Sequence, residues 1–258
     1  MKILVFVKQV PDTWGDRKLD TSTGFADRGA SDAVMDEVGE RAIEAALVCQ
    51  ESHGADVVVV TMGPSAAEDA LRKALAMGAD SALHVLDDGL AGSDLVQTAK
   101  VLAAVAKREA PDLILAGNES TDGRGGVVPA MVAEALGIPH ATHLSSFEIT
   151  PDGVTGSRST ESGSVDLSAA FPAVVSVTEQ APEARFPSFR GIMKAKKKPL
   201  DVLSLADLGL DAATLASGGR SVIASTTERP PRTAGTKIVD EGNAGEEIAE
   251  FLAAARLI

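Results

Sequence analysis

One stretch of the chain reads Asp112-Leu-Ile-Leu-Ala-Gly-Asn-Glu-Ser-Thr-Asp-Gly-Arg-Gly-Gly126. Its apolar first part predicts a buried β-strand over residues 112–116, and a helical pattern follows over residues 125–136, with Gly137 after its last turn. A strand, a glycine-rich turn and a helix in this order are typical of α/β folds, which bind ligands at the carboxyl ends of their strands. This stretch therefore predicts both the fold class and the place of a ligand site.

The loop itself, residues 117–126, has two readings. Its glycines let several backbone N–H groups turn toward an anion at the N-terminus of the following helix, a geometry that favours a phosphate group. The other reading is a plain turn between a strand and a helix. The loop matches neither the Walker A pattern nor the G-x-G-x-x-G fingerprint.

Short apolar runs alternate with longer helical patterns over the first two-thirds of the chain. A helix over residues 36–51 begins with acidic side chains, Ser65 and Glu68 form a capping-box pattern, and Ser93 is expected to cap the next helix. Further strands, apolar enough to be buried on both faces, are expected at residues 3–7, 56–62, 81–86 and 173–178. The sequence therefore predicts an α/β fold with a mostly parallel sheet and flanking helices.

Composition excludes several classes of function. The 258 residues carry a net charge of −13, which argues against nucleic acid as a general partner. The single cysteine, Cys49, excludes an internal disulfide, and the four histidines lack ligand spacing, so no metal site is expected. The N-terminal apolar run ends at Lys8 and is too short for a signal or membrane segment, so we expect a cytoplasmic protein without membrane insertion.

The chain also lacks the patterns of common catalytic sites. It has no nucleophile elbow with Ser, His and Asp in order, no Cys paired with His, and no carboxylate set that stands apart from the surface acids. We therefore expect no catalytic residues, and neither a self-contained enzyme nor an adenylating enzyme is favoured.

Beyond the first two-thirds the pattern changes. Residues 145–168 are rich in Ser, Thr and Gly and predict a hairpin excursion from a nucleotide-binding domain of residues 1–198. Residues 199–258 predict an extended C-terminal arm, whose closing helix has an apolar stripe formed by Ile248, Phe251, Leu252 and Ala255. This stripe either folds back on the parent domain or packs on another subunit, and we favour the second reading.

Two aromatic residues beside a block of positive charge mark the stretch Arg185-Phe-Pro-Ser-Phe-Arg-Gly-Ile-Met-Lys-Ala-Lys-Lys-Lys-Pro199. In an acidic protein such a stretch suits docking to a partner better than catalysis. The lysines have a second reading, as a solvated face or as support for the arm.

Several strings in this order resemble the beta (small) subunit of electron transfer flavoproteins. They are Val7-Lys-Gln-Val-Pro-Asp12, Gly63-Pro64, Leu71-Arg-Lys-Ala-Leu-Ala-Met-Gly-Ala-Asp80, Pro172-Ala-Val-Val175, Ile192-Met-Lys-Ala-Lys-Lys-Lys198 and Arg232-Thr-Ala-Gly235. The resemblance implies a Rossmann-like fold of the adenine-nucleotide alpha-hydrolase type that pairs with a larger alpha subunit. In that family the alpha subunit holds most of the FAD, and the beta subunit buries a structural AMP.

The resemblance also implies where the nucleotides bind. Near the FAD it places Thr13, Trp14 and Met35. Around AMP it places Phe6, Ala33, Val34, Met35, Asp36, Met62, Gly117, Asn118, Glu119, Ser120, Thr121, Asp122, Gly123, Arg124, Gly125, Gly126, Val127 and Val128.

This chain departs from the family's phosphate loop. Many members have polar residues where Gly126, Val127 and Val128 stand here, so a phosphate would depend on backbone N–H groups and on Arg124. Members that bind a second FAD in this pocket have an acid and a glutamine where this chain has Arg124 and Val127. We therefore expect AMP rather than a second FAD.

The docking stretch implies its own contact residues. Phe189 stands where the family usually has a leucine anchor, and Arg190, Ile192 and Met193 follow as further partner-binding residues. In the hairpin, Ser159 occupies the place of an acid that positions the moving flavin domain in the family, with Glu161 as the nearest substitute.

These implications predict a non-catalytic subunit of a heterodimeric electron carrier. It would accept electrons from flavin dehydrogenases, such as the acyl-CoA dehydrogenases of fatty acid beta-oxidation, and pass them to a membrane quinone oxidoreductase. The alternative is a stand-alone module that binds or senses an adenine nucleotide.

Overall fold

The computed structural model describes residues 1–15, 17–219, 221–232, 234–235, 237 and 239–258. Thr233, within the Arg232-Thr-Ala-Gly235 string, lies outside the described residues. The strands are β1 (Lys2–Phe6), β2 (Gln9–Pro11), β3 (Lys18–Leu19), β4 (Ala26–Asp27), β5 (Ala33–Met35), β6 (Asp56–Met62), β7 (Ser81–Val85), β8 (Leu113–Gly117), β9 (His140–Leu144), β10 (Ser146–Ile149), β11 (Gly153–Thr160), β12 (Gly163–Ala170), β13 (Ala173–Val177) and β14 (Leu200–Leu203). The α-helices are α1 (Glu37–His53), α2 (Glu68–Met77), α3 (Leu95–Glu109), α4 (Val128–Leu136), α5 (Phe189–Ala195), α6 (Ala212–Ser217) and α7 (Ala244–Ala254).

A seven-stranded parallel sheet forms the centre of the fold, with the strand order β14-β7-β6-β1-β8-β13-β9. This confirms the predicted Rossmann-like α/β class. After β1 the chain adds β6 and β7 on one side, and α3 then carries it back to β8 on the other side of β1. The order therefore reverses between β1 and β8, which is where doubly wound sheets open a crevice for ligands.

Helices cover both faces of this sheet. Ile3 and Val5 of β1 belong to a core shared with α1 and α2. Leu4 and Phe6, the alternate residues of the same strand, belong to the core on the opposite face, which is shared with α3 and α4. Side chains of a strand alternate between faces, so a strand that is apolar at every position is buried on both. The unbroken apolar runs in the sequence have this cause.

Three helix starts differ from the predictions. Ser65–Ala67 forms a short 3₁₀ turn, and Ala67 precedes α2 without a side-chain cap, so the predicted capping box is wrong. Asp94, rather than Ser93, caps α3 and forms a capping box with Gln97. Helix α4 begins at Val128 instead of residue 125, because Arg124 and Gly126 have positive φ angles, which a right-handed helix excludes.

The hairpin excursion is a three-stranded antiparallel sheet in the order β10-β11-β12. Val154 and Ala169 pack from this sheet into the α1 side of the core. Sequence reasoning missed β9, α5 and β14, all of which are short.

Two compact units divide the chain, Met1–Ala224 and Ser225–Ile258. The first unit extends past residue 198 because β14 pairs with β7 and adds an edge strand to the central sheet. The second unit contains α7. Within the part of the chain that the structure describes, no helix is both long and apolar enough to cross a membrane.

Candidate functional site

Three predicted site residues end neighbouring strands of the central sheet. Phe6 is the last residue of β1, Met62 of β6 and Gly117 of β8, so parallel pairing brings all three to the same edge. Gly117 also lies against the start of α1, where an added Cβ would be 3.1 Å from both the carbonyl carbon and the Cβ of Val38. A side chain at this position would push β8 and α1 apart.

Asp36 joins the start of α1 to the loop after β8. Asp36 is only 2% exposed. Its side chain caps α1, because Oδ1 accepts the Val38 N–H at 3.2 Å. Oδ2 accepts both the backbone N–H of Thr121 at 2.7 Å and its hydroxyl at 2.9 Å. One carboxylate therefore fixes two of the elements that meet at the strand ends.

A second carboxylate, Asp122, gathers cations inside the loop. Lys8 Nζ donates to Asp122 Oδ1 at 2.7 Å and to Ser120 Oγ at 3.1 Å, and Arg28 Nη2 donates to Asp122 Oδ2 at 2.9 Å. Burial alone would raise the pKa of Asp122, but the hydrogen bond and charge of Lys8, with the Ser120 hydroxyl and the Gly123 N–H, hold it well below its ordinary value. The loop therefore keeps a carboxylate that stays ionised.

Two further arginines belong to this cluster. Arg17 donates to the Thr121 carbonyl oxygen at 2.6 Å, and Arg124 pairs with Glu119 at 3.1 Å. Sequence reasoning did not assign roles to Lys8, Arg17 or Arg28. Lys8 carried a signal, since it directly follows a strand at the predicted ligand edge. Arg17 and Arg28 carried none, because their contacts with residues 121 and 122 depend on long-range folding.

Asn118 is the first residue after β8 and has a buried acceptor without a partner. Its N–H donates to the Val177 carbonyl oxygen at 2.8 Å, but its Oδ1 has no hydrogen bond to any described residue. Such orphan acceptors are rare in folded proteins and call for a ligand or water. The amino group and ribose hydroxyls of adenosine are suitable donors, so this residue fits the implied AMP.

The N-terminus of α4 has open donors for an anion. Val127 precedes α4 without a side-chain cap, and the first N–H groups of a helix have no partner within it. The positive φ angles of Arg124 (49°) and Gly126 (65°) shape the turn that leads there. These N–H groups match the hydrogen-bonding needs of a phosphate.

The remaining predicted nucleotide residues lie on two segments that follow or precede this edge. Ala33, Val34 and Met35 form β5, which pairs with β2 directly after β1; Met35 is buried and the other two are exposed. Thr13 and Trp14 are exposed, Trp14 at 95%. The structure thus does not bring these two side chains into the Lys8–Asp122 cluster.

Two concave regions lie elsewhere on the fold. One of about 560 Å³ lies between α1 and β10, with Cys49 and Phe147 in its lining. Another lies on the three-stranded sheet and includes Gly156. Neither contains a residue of the loops after β1, β6 and β8, where the orphan acceptor and the paired cations lie.

The predicted docking stretch, residues 184–198, is here called the docking segment. Its Ser188 caps α5 by accepting the Gly191 N–H at 3.0 Å. Phe189 begins this helix and is 82% exposed, while Phe186, before the helix, is 94% exposed. Arg190, Ile192 and Met193 are exposed on the same helix. The predicted contact residues therefore form one apolar and cationic surface.

Arg185 holds the start of the docking segment on α1. Its backbone N–H and its Nε donate to Glu44 Oε2 at 3.0 and 2.8 Å, and its guanidinium also pairs with Glu51. Burial alone would raise the pKa of Glu44, but the hydrogen bonds and charge of Arg185 hold it below its ordinary value. The chain is thus fixed just before its exposed aromatics.

Comparisons with known proteins agree over nearly the whole chain. A family model described as the electron transfer flavoprotein domain matches residues 24–208. The electron transfer flavoprotein subunit beta of Mycobacterium leprae is 50% identical over 264 residues, covering 99% of each chain. Proteins of the same name from Megasphaera elsdenii and Bacillus subtilis are 32% identical over 271 residues and 34% identical over 212 residues, covering 100% and 82% of each chain. The chain therefore belongs to the electron transfer flavoprotein family, among its beta subunits.

Proposed function

We propose that this chain forms a heterodimer with an electron transfer flavoprotein alpha subunit and acts in the cytoplasm as its non-catalytic half. The heterodimer accepts electrons from flavin dehydrogenases, such as the acyl-CoA dehydrogenases of fatty acid beta-oxidation. It then passes them to a membrane quinone oxidoreductase. FAD, held mainly by the alpha subunit, supplies the redox chemistry when bound.

The observation that carries the nucleotide part of this proposal is the buried, unpartnered Oδ1 of Asn118 at the switch point of the sheet. It lies at the start of the loop whose other end opens α4. We propose that Asn118 accepts a hydrogen bond from the adenosine part of AMP, and that the N–H groups of Gly126 to Val128 receive the phosphate. Arg124 supplies positive charge at the same turn.

Other residues of the loop hold it in shape. Asp36 fixes Thr121, and Lys8 fixes Ser120 and Asp122. Asp36 and Asp122 can favour binding without contact to the nucleotide, because a loop that is already ordered loses less entropy on binding. Phe6 and Met62 supply apolar surface at the neighbouring strand ends, and Ala33 to Met35 line the approach from β5.

The flavin-facing role belongs to the segment after β2. Trp14 is almost fully exposed and gives a planar apolar surface, which suits contact with an isoalloxazine ring. Thr13 and Met35 are proposed to lie near the same ring. Glu161, at the tip between β11 and β12, is the proposed substitute for the acid that positions the flavin domain.

Docking is assigned to α5. Exposed large apolar side chains on a surface rimmed by positive charge are typical of a protein-binding site. Phe189 is the proposed anchor, with Arg190, Ile192 and Met193 around it. Of the predicted arm, residues 199–258, the part from Ser225 onward is proposed to pack on the alpha subunit through the apolar stripe of α7.

Coexpression with the alpha subunit tests the proposal. We expect a yellow heterodimer from which one FAD and one AMP are extracted per dimer, identified by mass and absorbance. Two FAD per dimer would overturn AMP as the ligand of this chain. A colourless homo-oligomer that carries ATP would overturn the carrier function and leave a nucleotide-binding module in its place.

A substitution in the loop gives the matching control. Asn118→Leu keeps the volume of the side chain but removes its acceptor, so the heterodimer should retain FAD and lose most of its AMP. Glu134→Gln, at an exposed position of α4 outside the implied nucleotide residues, should retain both nucleotides.

A further inference from the structure

The last lysine of the docking segment does not point its charge at solvent. Lys198 Nζ donates to the backbone carbonyl oxygens of Leu75, Gly78 and Ala79 at 3.2, 2.9 and 2.5 Å. These carbonyls lie at the end of α2, where the last turn of a helix leaves acceptors without intrahelical partners. A lysine at this place satisfies them and complements the negative end of the helix dipole.

The three lysines before it differ from Lys198. Lys194, Lys196 and Lys197 are exposed and form no ion pair with any residue in the described part of the chain. Lys198 is only partly exposed. Burial lowers the pKa of its ammonium, the Asp80 carboxylate opposes that change, and nearby Lys194 adds to it.

A second contact brings α5 onto α2. Gly191 packs so closely on the C-terminal turn of α2 that an added Cβ would overlap the carbonyl oxygen of Ala76. Two neighbouring carbonyls of one helix end, those of Leu75 and Ala76, are therefore covered by the docking segment. This packing explains why a glycine stands inside a helix as short as α5.

The chain continues from Lys198 directly into the central sheet. The Pro199 carbonyl oxygen accepts the Ala82 N–H at 3.0 Å, and β14 then pairs with β7. Lys198 thus lies between the exposed helix and an edge strand of the central sheet.

We propose that Lys198 is a positioning residue: it binds no partner, and through its three carbonyl contacts it holds α5 so that Phe189 and Met193 are presented in one fixed orientation. This inference rests on the proposed docking role of α5 and divides the lysine run into two parts. The first three lysines face a partner, and the fourth fixes the helix that carries them.

The test uses the FAD-containing heterodimer with four single substitutions in this chain. Lys198→Met keeps the length of the side chain and removes its donors, and Lys198→Arg keeps donors that suit helix carbonyls. Lys197→Met removes the same charge from the exposed neighbour. Gly191→Ala displaces α5 from α2 without any change of charge, and it serves if Lys198→Met fails to fold.

Two measurements separate positioning from mere folding. Hydrogen exchange of the amides in residues 189–195 should rise about tenfold in Lys198→Met and in Gly191→Ala, because opening of this helix becomes easier. With an acyl-CoA dehydrogenase reduced by its own acyl-CoA, KM for the heterodimer should rise about tenfold at unchanged kcat and flavin content. Lys198→Arg should return both values to within about threefold of the wild type, and Lys197→Met should leave the exchange unchanged.

Unchanged hydrogen exchange of the α5 amides in both Lys198→Met and Gly191→Ala would overturn the proposal that Lys198 holds α5. Faster exchange with an unchanged KM would overturn its role in docking. If the wild-type heterodimer is not reduced by the dehydrogenase at all, the proposed function fails, while the exchange data still decide whether Lys198 holds α5.

Discussion

Basic side chains gather both around the loop at the strand ends, residues 117–128, and on the docking segment, but their positive charge is used in opposite ways. At the strand ends Lys8 and Arg28 are drawn onto Asp122, whose side chain is only 8% exposed. On the docking segment the basic side chains of α5 face solvent, and the paired ones, Arg185 and Lys198, lie at its two ends.

The difference fits two proposed roles: the loop is held in one conformation, and the docking segment presents charges to a partner. A loop that must accept a ligand gains from internal partners, because each satisfied carboxylate reduces the number of conformations that binding must exclude. A docking surface gains from charges that remain available to a partner, since such charges speed encounter. The sequence of the loop alone does not show this difference, because Lys8 and Arg28 lie far outside the loop that they contact.

The largest effect is expected from Asp36→Ala, which removes contacts that hold the loop. The substitution removes the cap of α1 and leaves the partly buried Thr121 N–H without its acceptor, so the free energy of unfolding should fall by about 2 kcal/mol. Urea unfolding followed by circular dichroism measures it. Asp36→Asn, which keeps one acceptor, should lose clearly less. Equal stability of Asp36→Ala and wild type would show that the loop does not depend on this carboxylate.

Phe189→Ala tests whether the docking segment presents an anchor to the dehydrogenase. Loss of a central aromatic anchor costs about 2 kcal/mol of binding, so kcat/KM for reduction by the dehydrogenase should fall about 30-fold with FAD content unchanged. Stopped-flow reduction of the flavin provides the measurement. Phe186→Ala is the matched control, with an expected effect below about threefold, because Phe186 precedes α5 and lies outside the helix that carries the proposed anchor. Unchanged kinetics in Phe189→Ala would refute the anchor.

The stability of the protein at acid pH tests whether the Asp122 carboxylate holds the loop at the strand ends. Asp122 has a depressed pKa in the folded chain, so its contribution is present above the unfolded pKa of about 3.9 and is lost as the pH falls toward the folded value. Below about pH 4, protonation linked to Asp122 should lower the free energy of unfolding by about 1.4 kcal/mol per pH unit. Asp122→Asn should lack that part of the slope, as measured by urea unfolding at pH 3 and pH 7. Parallel curves for the two proteins would contradict the assignment.

The smallest effect is expected from Lys196→Gln. An exposed charge contributes less than about 1 kcal/mol and acts mainly on the association rate, so kcat/KM should fall less than about fivefold at low salt. The difference should disappear near 0.5 M salt, where screening is effective over a few ångströms. A defect that persists at high salt would mean that Lys196 makes a close contact instead.

Sequence reasoning reached the central sheet because short apolar runs alternate with helical patterns, an order typical of parallel sheets covered by helices. Strands such as Val57 to Val60 are buried on both faces, as their unbroken apolar character predicts. It also reached the exposed surface of α5, since aromatics beside basic residues are unusual in an acidic chain. The family assignment followed from strings such as Leu71 to Asp80.

Other features could not be reached in this way. The start of α4, the cap on α3 and the short helix α5 depend on local backbone angles that several sequences satisfy. The partners of Asp122 come from residues 8 and 28, about 114 and 94 positions earlier in the chain. No local pattern encodes such pairs, because their distance depends on how the whole chain folds.

The sequence by itself determined the class of the fold and the family and proposed two candidate regions, because each depends on a pattern along a continuous stretch. Only the tertiary structure decided which charges are available. Asp36 and Asp122 are already engaged, Asn118 retains a free acceptor, and Lys198 is bound to the end of α2. The physical reason is that the role of a polar side chain depends on its partners, and folding brings those partners from distant parts of the chain.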